Sequence, residues 1–275
     1  MAETPAHASL DPSAVTRALG DRAGVYRITA LAECDSSNTR LMAAAEAGAP
    51  SGSVLVADRQ TAGRGRRGRT WHSSPEDSLT FSVLWRFPTD SQAPAALSLV
   101  TGLAVATALE TLGARHIALK WPNDLLHDGR KLAGILIELQ PGDLRSTVIG
   151  IGLNLRLPDN LPEEVAATAT ALDRVCPAVR GQNMRREIVL AAILDQLADT
   201  FVRYTQEGFA ALRAAWCARD AYAGRPADIL GEQSRQSGIC VGVDNDGALL
   251  LQGPDGTTRI IAGELSLRAG TGAPT

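Results

Sequence analysis

The apolar and polar positions of the chain follow two different periods in successive segments. Residues 54–57 form a short apolar run of the kind found in buried strands, and residues 79–87 alternate with the period of a strand. Residues 95–112 have the Ala, Leu and Val content of a buried helix, and the proline before them is typical of a helix start. The first half of the chain is therefore predicted to mix strands with helices.

The N-terminal region contains a weaker signal and a stronger one. Residues 1–24 are predicted to form a loose tail that contains a short helix at 12–19. The Ser-Ser-Asn triplet at 36–38 precedes an apolar segment that ends at Gly48, which is the usual order of N-cap, apolar face and C-terminal glycine. A helix is predicted between them.

Between residues 117 and 206 the pattern predicts two hairpins and then a long helix. Short turn signals such as Asp128-Gly129 separate the strands. We therefore expect an α+β fold, in which helices pack on an antiparallel or mixed sheet. The predicted elements are strands at 117–119, 125–126, 132–139 and 147–155, a turn at 141–143, and a helix at 182–206.

Beyond residue 223 the chain changes to short strands separated by turn signals at 244–247 and 254–256. About fifty residues of this kind favour a small β-barrel. We therefore predict an N-terminal tail at 1–24, a catalytic domain at 25–223 and a small C-terminal β-barrel domain at 224–275.

Composition narrows the function classes. The chain has 275 residues, 45% of them hydrophobic and 21% charged, with a net charge of -3, so nothing attracts the whole molecule to nucleic acid or anionic lipid. The four cysteines are scattered without metal-ligand spacing, so neither a zinc site nor a disulfide framework is expected. The N-terminus has no apolar signal region, and we expect a cytoplasmic protein.

The distribution of lysine marks a candidate site. Among 27 basic residues only Lys120 and Lys131 are lysines, and they lie eleven positions apart. Genome composition can explain a general preference for arginine but not the placement of these two. The compact ammonium of lysine can contact a single oxygen in a geometry that the planar guanidinium of arginine does not fit. Residues 117–138, which contain both lysines, are therefore a candidate site.

Residues 63–68 match the Gly-x-Gly-x-x-Gly dinucleotide pattern, but the structural context is wrong. A dinucleotide turn must open a helix, whereas no helical apolar period follows here before Pro75. What remains is an arginine-rich glycine loop ending at Trp71, which mutual repulsion should keep disordered until anions arrive. A solvated surface loop and a single-stranded nucleic-acid groove are alternatives, although the second needs more aromatic residues than this chain contains.

The segment Lys120-Trp121-Pro122-Asn123-Asp124 and the following Arg130–Ile135 segment place both lysines, a carboxylate and a carboxamide around one predicted hairpin. Asn-Asp after proline is also ordinary turn chemistry. The clustering favours a site in which Asp124 holds Mg²⁺ on a nucleotide, since magnesium takes one or two carboxylates together with phosphate oxygens.

These motifs, together with the triplet at 36–38, Gln60 and Gly150–Asn154, occur in the order and spacing found in biotin protein ligases, and the resemblance covers roughly residues 30–270. It implies a catalytic domain of the class II synthetase or biotin–lipoyl ligase type, with ATP and biotin as substrates and Mg²⁺ as cofactor. It also implies a catalytic set of Lys131, Arg64, Arg66 and Asp124. The implied biotin contacts are Ser36, Ser37, Asn38, Gln60, Arg64, Gly65, Arg66, Lys131 and Gly134, and the implied ATP contacts are Arg67, Arg69, Trp71, Asn123, Asn154 and Arg268.

The implied reaction forms biotinyl-5'-AMP with release of pyrophosphate and then biotinylates a lysine of a biotin carboxyl carrier protein. No Met-Lys-Met acceptor sequence is present, so the chain resembles the ligase and not its substrate. One departure is Ser37, where the family usually has Thr. A lipoate or octanoate ligase is the nearest alternative enzyme, and it should lack the arginine loop.

Only 35 residues precede Ser36, whereas a three-helix DNA-binding domain needs about sixty. We therefore expect a monofunctional enzyme without operator binding or membrane contact, present as a monomer or weak homodimer.

Overall fold

The structure is a computed structural model that describes residues 10–88, 96–158, 161, 163–176, 185–230, 235–261 and 266–269; at 144, 235 and 266–269 it describes the backbone alone. Its strands and helices alternate as the sequence pattern predicts. The helices are α1 Pro12–Leu19, α2 Ser37–Glu46, α3 Leu97–Thr111, α4 Glu163–Thr168, α5 Leu172–Val175, α6 Arg186–Glu207 and α7 Ala210–Cys217. The strands are β1 Arg27–Cys34, β2 Ser53–Gln60, β3 Ser78–Arg86, β4 Ala118–Lys120, β5 Asp124–His127, β6 Arg130–Gln140, β7 Asp143–Asn154, β8 Pro226–Leu230, β9 Arg235–Val243, β10 Leu249–Gly253, β11 Gly256–Ile260 and β12 Ser266–Ala269.

A seven-stranded sheet forms the centre of the molecule, in the order β1-β2-β3-β7-β6-β5-β4. Only β1 and β2 pair in parallel; the other neighbours are antiparallel. The predicted α+β class with a mixed sheet is therefore confirmed. Strands β6 and β7 lie in the middle, which places the 128–154 region at the heart of the fold.

Each face of this sheet has its own apolar cluster, because neighbouring side chains along a strand point to opposite faces. Val83 and Ile149 belong to the large core beneath α3 and α6. Leu84 and Val148 belong to a smaller cluster beneath α2. The helix α2 is thereby held against the sheet face that also receives the polar triplet at its N-terminus.

The N-terminal segment differs from the predicted tail. Helix α1 spans the predicted residues, but Val15 and Leu19 are buried in the large apolar cluster and the helix packs on α6, so this segment is not a loose tail. The apolar residues of this one amphipathic turn were too few to show that from sequence. Residues 1–9 lie outside the described structure.

Five antiparallel strands, in the order β11-β10-β9-β8-β12, form a second sheet after residue 225. Closure into the predicted barrel is not among the pairings of the described residues. Strand β1 and the helices α4, α5 and α7 were not predicted, because the alternation in β1 is weak and the three helices are short. Cys34, Cys176 and Cys240 are buried, and all four cysteines carry free thiols. No described helix has the length and apolar content needed to cross a bilayer.

Candidate functional site

The triplet at the start of α2 forms a buried polar pocket. Ser36, Ser37 and Asn38 are each only 3% exposed, although all three are polar. Ser36 takes the N-cap position with an extended backbone, yet its side chain makes no capping hydrogen bond. Buried polar groups require partners, so this cluster marks a site and not a surface turn. The predicted N-cap motif therefore starts the helix and also lines the pocket.

Three strands of the large sheet, β2, β3 and β6, supply hydrogen-bond partners to this pocket. The backbone N–H of Ser37 donates to Oε1 of Gln60 on β2 at 2.6 Å. Ser82 on β3 places its Oγ 2.7 Å from Ser37 Oγ and 2.5 Å from Asn38 Oδ1. Asn38 Nδ2 donates to Glu138 Oε2 on β6 at 2.8 Å. The pocket is thus lined by neutral donors and acceptors, with one carboxylate at its edge.

Two glycines of β7 form the floor of the site. A Cβ atom at Gly150 would lie 2.3 Å from Asn38 Oδ1, and one at Gly152 would lie 2.3 Å from Trp71 Cε2. Neither contact is possible for a real side chain. The two glycines of this strand therefore permit the close approach of Asn38 and of the loop tryptophan.

The arginine-rich segment is a short hairpin in the structure. Gly65 N–H donates to Arg69 O at 2.7 Å, Trp71 N–H donates to Gly63 O at 2.9 Å, and Arg67 and Gly68 have left-handed φ values of 58° and 67°. The hairpin is followed by the strand β3 and not by a helix, so it is not a dinucleotide-binding turn. The expected disorder of the empty loop in solution stays a prediction.

The arginines of this loop reach different parts of the site. Arg64 Nη2 lies 2.9 and 2.7 Å from the two carboxylate oxygens of Glu138, and Arg66 Nη1 donates to Asn123 Oδ1 at 3.2 Å. Arg67 Nη2 reaches Leu230 O at 3.5 Å in the second sheet. Burial lowers the pKa of Arg66, with repulsion from Arg67 adding to the effect. An arginine remains cationic after such a shift, so Arg66 presents a poorly solvated positive charge.

A larger cleft of about 480 Å³ opens beside the small pocket. Lys131 Nζ lies 2.7 Å from Asp124 Oδ1 and 5.7 Å from the ring centroid of Trp71. Gly134 gives room to this lysine, because a Cβ there would lie 3.0 Å from Nζ. Of the predicted residues, the cleft is lined by Arg64, Gly65, Arg66, Arg67, Arg69, Trp71, Asn123, Asp124, Lys131 and Gly134.

The hairpin of β5 and β6 holds the lysine and the carboxylate together. Asp124 pairs with Gly134 across the two strands, and a register shift follows between Leu125 and Leu126. Asn123 ties the turn to β6, since its Nδ2 donates to Ile135 O at 2.8 Å and its carbonyl accepts from Ile135 N–H at 3.0 Å. The predicted clustering of these side chains around one hairpin is therefore present in the fold.

Two predicted nucleotide contacts are placed elsewhere. Asn154 Nδ2 donates to the carbonyls of Lys131 and Thr170, at 3.3 and 3.0 Å, so this amide supports the backbone of the lysine. The backbone of Arg268 lies opposite that of Asp228 in the pairing of β12 with β8, and only the backbone of Arg268 is described. Sequence reasoning missed Ser82 and Glu138, because each is a polar residue in an alternating strand and resembles an outward-facing position.

The residues of the cleft fit a magnesium ion that arrives with a nucleotide. Asp124 Oδ1 is buried and has no hydrogen bond of acceptable geometry, even though Lys131 Nζ lies 2.7 Å away. The ion pair with Lys131 therefore leaves a lone pair of this oxygen unused. No group of three metal-binding side chains occurs among the described residues, but magnesium on a phosphate needs only one or two carboxylates.

Two family models match the chain. The Biotin/lipoate A/B protein ligase family matches residues 31–154, and the Biotin protein ligase C terminal domain matches residues 229–268. The first match contains the pocket, the loop and the hairpin. The second covers most of the small sheet.

Named relatives of the chain are also ligases. It is 37% identical over 245 residues to a Biotin--[acetyl-CoA-carboxylase] ligase of Paracoccus denitrificans, covering 86% of this chain and 98% of that protein. It is 36% identical over 222 residues to the Bifunctional ligase/repressor BirA of Escherichia coli, covering 80% and 67%. The solved structure of the biotin protein ligase from Aquifex aeolicus in complex with biotin and ATP matches with a TM-score of 0.78 at 33% identity, over 89% of this chain and 99% of that one. The chain therefore belongs to the biotin protein ligase family.

Proposed function

We propose that this protein activates biotin with ATP to biotinyl-5'-AMP and transfers the biotinyl group to a lysine of a biotin carboxyl carrier protein. The observation that carries the proposal is the junction of a neutral polar pocket with a cation-lined cleft, since Arg64 and Trp71 line both. The pocket suits a ureido ring, which has one acceptor and two donors and calls for Ser, Asn and Gln and not for charges. The cleft suits a triphosphate.

The first step brings two anions together. The biotin carboxylate oxygen attacks the α-phosphorus of ATP, and pyrophosphate leaves. Fixed cations in a water-poor site stabilise the charge that develops there. Arg64 stands at the junction, Lys131 lies in the cleft beside Trp71, and Arg66 lies over the cleft beside Asn123. Magnesium on Asp124 would neutralise the phosphates.

The biotinyl-AMP formed in the first step must be protected from water before the second step. A mixed anhydride reacts with water, so a loop that closes over it preserves the activated biotin until the carrier lysine arrives. The amine of that lysine attacks the acyl carbon and AMP leaves. The arginine hairpin, held at Glu138, Asn123 and Leu230, has the position required of such a lid.

The proposed carrier protein follows from the names of two relatives. Ligases of Paracoccus denitrificans and Mycobacterium tuberculosis are named for acetyl-CoA carboxylase, so a biotin carboxyl carrier subunit of that or a related carboxylase is the proposed acceptor. Cytoplasmic location, absence of DNA binding, and a monomer or weak homodimer stay predictions.

A pyrophosphate-release assay with biotin, lipoate and octanoate in parallel tests the proposal. We expect release that depends on biotin and ATP, and transfer of the label to an added carrier domain. Release with lipoate or octanoate alone would instead identify the alternative lipoate or octanoate ligase. Absence of a biotin signal, together with salt-dependent retention of RNA or DNA, would favour the nucleic-acid-binding alternative.

A further inference from the structure

Glu138 connects the two halves of the site, although neither its position in β6 nor its type singled it out. Its side chain is 28% exposed. Both of its oxygens accept from Nη2 of Arg64, at 2.9 and 2.7 Å, and Oε2 also accepts from Asn38 Nδ2 at 2.8 Å. One carboxylate thus joins the arginine loop to the polar pocket.

The Glu138 carboxylate sets the orientation of the Asn38 amide together with the carbonyl of Leu136, which lies 3.5 Å from Nδ2. An ionised carboxylate can only accept hydrogen bonds, so Asn38 must turn its amide nitrogen towards Glu138. The amide oxygen then faces Ser82 Oγ at 2.5 Å. The usual ambiguity between the oxygen and nitrogen of an asparagine side chain is removed by this partner.

The orientation of Asn38 in turn determines the direction of the next hydrogen bonds. Ser82 carries a single hydroxyl hydrogen, and an amide oxygen cannot donate, so that hydrogen goes to Asn38 Oδ1. The 2.7 Å contact between Ser82 and Ser37 must therefore be donated by Ser37. With its hydrogen used, Ser37 Oγ offers only lone pairs to the pocket.

We propose that Glu138 is a positioning residue that makes Ser37 an acceptor for a ureido N–H of biotin and holds Arg64 of the lid over the pocket. This rests on the proposed function. The chain of contacts runs from Arg64 through Glu138, Asn38 and Ser82 to Ser37, and it carries the direction of hydrogen bonding from the loop to the ligand.

The role of Glu138 leaves Arg64 able to bind anions. A guanidinium has five donor hydrogens, so Arg64 can hold Glu138 through Nη2 and still offer Nε and Nη1 to a phosphate or carboxylate. The polar pocket measures about 30 Å³ and is bounded by Arg64 and Trp71, so a bicyclic ring enters only when these loop side chains move. After the ring has entered, Arg64 forms its ion pair with Glu138 again.

The test compares Glu138→Gln with Glu33→Gln as a matched control. Glu33 is an exposed carboxylate on β1 that pairs with Arg59 at 3.0 Å, outside the site. The glutamine keeps the size of Glu138 but can present an amide hydrogen to Asn38. Calorimetric titration with biotin, without ATP, should give a dissociation constant about tenfold higher for Glu138→Gln and an unchanged one for Glu33→Gln.

The decisive readout is discrimination between ligands. Two biotin analogues, each with one ureido N–H replaced by oxygen, are titrated beside biotin. The wild-type protein should reject one of them by about 100-fold or more, because an acceptor facing an acceptor is left unpaired. Glu138→Gln and Ser82→Ala should both reduce that ratio towards one. A merely structural role would weaken biotin and analogue equally.

The outcomes separate this inference from the proposed function. If the wild-type protein binds biotin and both variants keep the full discrimination ratio, Glu138 does not set the polarity of Ser37 and the inference is overturned. If the wild-type protein binds no biotin, the proposed function falls as well. Circular dichroism monitors folding, and Ser82→Ala tests the same chain of contacts should Glu138→Gln unfold.

Discussion

Lys131 is held in place by several neighbouring residues. Its Nζ lies against Asp124 and over Trp71, its carbonyl accepts from Asn154 and from Thr170 N–H, and Gly134 leaves it space. Lys120 also lines the cleft, with Nζ 5.9 Å from the ring of Tyr222. The sequence could not divide roles between the two lysines. The structure places Lys131 in the cleft beside Trp71, a residue that lines both the cleft and the polar pocket.

Lys131→Arg should lower biotin-dependent pyrophosphate release by about 100-fold, although the charge is kept. The space beside Gly134 and Trp71 fits an ammonium, and a guanidinium would be displaced from Asp124. Arg130→Lys, an exposed change at the neighbouring position, is the control and should stay within about twofold of wild type. Retention of more than a tenth of the activity by Lys131→Arg would contradict this role.

Arg66→Gly should release activated biotin from the site. Removing the side chain breaks its contact with Asn123 and weakens closure of the lid, so biotinyl-AMP escapes and labels bystander proteins. Streptavidin blotting of a reaction that contains serum albumin measures this labelling. Arg115→Gly, an exposed loop arginine, serves as control. Unchanged labelling specificity in Arg66→Gly would argue against the lid.

At the scale of elements, β7 and the arginine hairpin form one unit. Gly152 of β7 leaves room for the indole of Trp71 against the strand, and Gly150 leaves room for Asn38 of α2 on the same face. The apolar pattern predicted the strand itself. It could not show that two alternate positions of the strand need glycine, since that requirement comes from Trp71 and Asn38, which lie 81 and 112 positions away in the sequence.

Gly152→Ala should impair the site with little loss of stability. The new Cβ would meet Trp71 within 2.3 Å, so the indole must move away from Lys131. We expect biotin-dependent pyrophosphate release to fall about tenfold, with a Tm within roughly 4 °C of wild type. Gly24→Ala, where nothing lies within 4 Å of the added atom, is the matched control. Equal activity of the two variants would show that Trp71 needs no contact with β7.

At the scale of the whole molecule, both sheets share the larger of the two apolar clusters. Ala227, Val243 and Leu249 of the small sheet belong to the same buried cluster as Trp121. Trp121 Nε1 donates to Gly247 O at 3.1 Å, so a fully buried indole of the catalytic region depends on a turn of the C-terminal unit. The boundary predicted from the sequence at residues 223 and 224 therefore does not divide the protein into two separate apolar cores.

A chain truncated after residue 223 should therefore fail to fold cooperatively. Removing the small sheet exposes the apolar surface around Trp121 and leaves its N–H unpaired. Differential scanning calorimetry should show one transition for the intact protein and none for the truncated chain. A cooperative transition and biotin binding in the truncated chain would show that the catalytic region is autonomous.

Sequence alone determined the α+β class, most strands and helices, the hairpin that carries Asp124 and Lys131, and the rejection of a dinucleotide turn. Those features depend on periodicity, turn chemistry and short spacings, which are local. Tertiary structure alone decided that Asn154 supports the backbone of Lys131 and that α1 belongs to the core. It also decided that Glu138 joins Arg64 and Asn38, residues 74 and 100 positions away. Strand order brings such distant residues together, and no local pattern encodes that order.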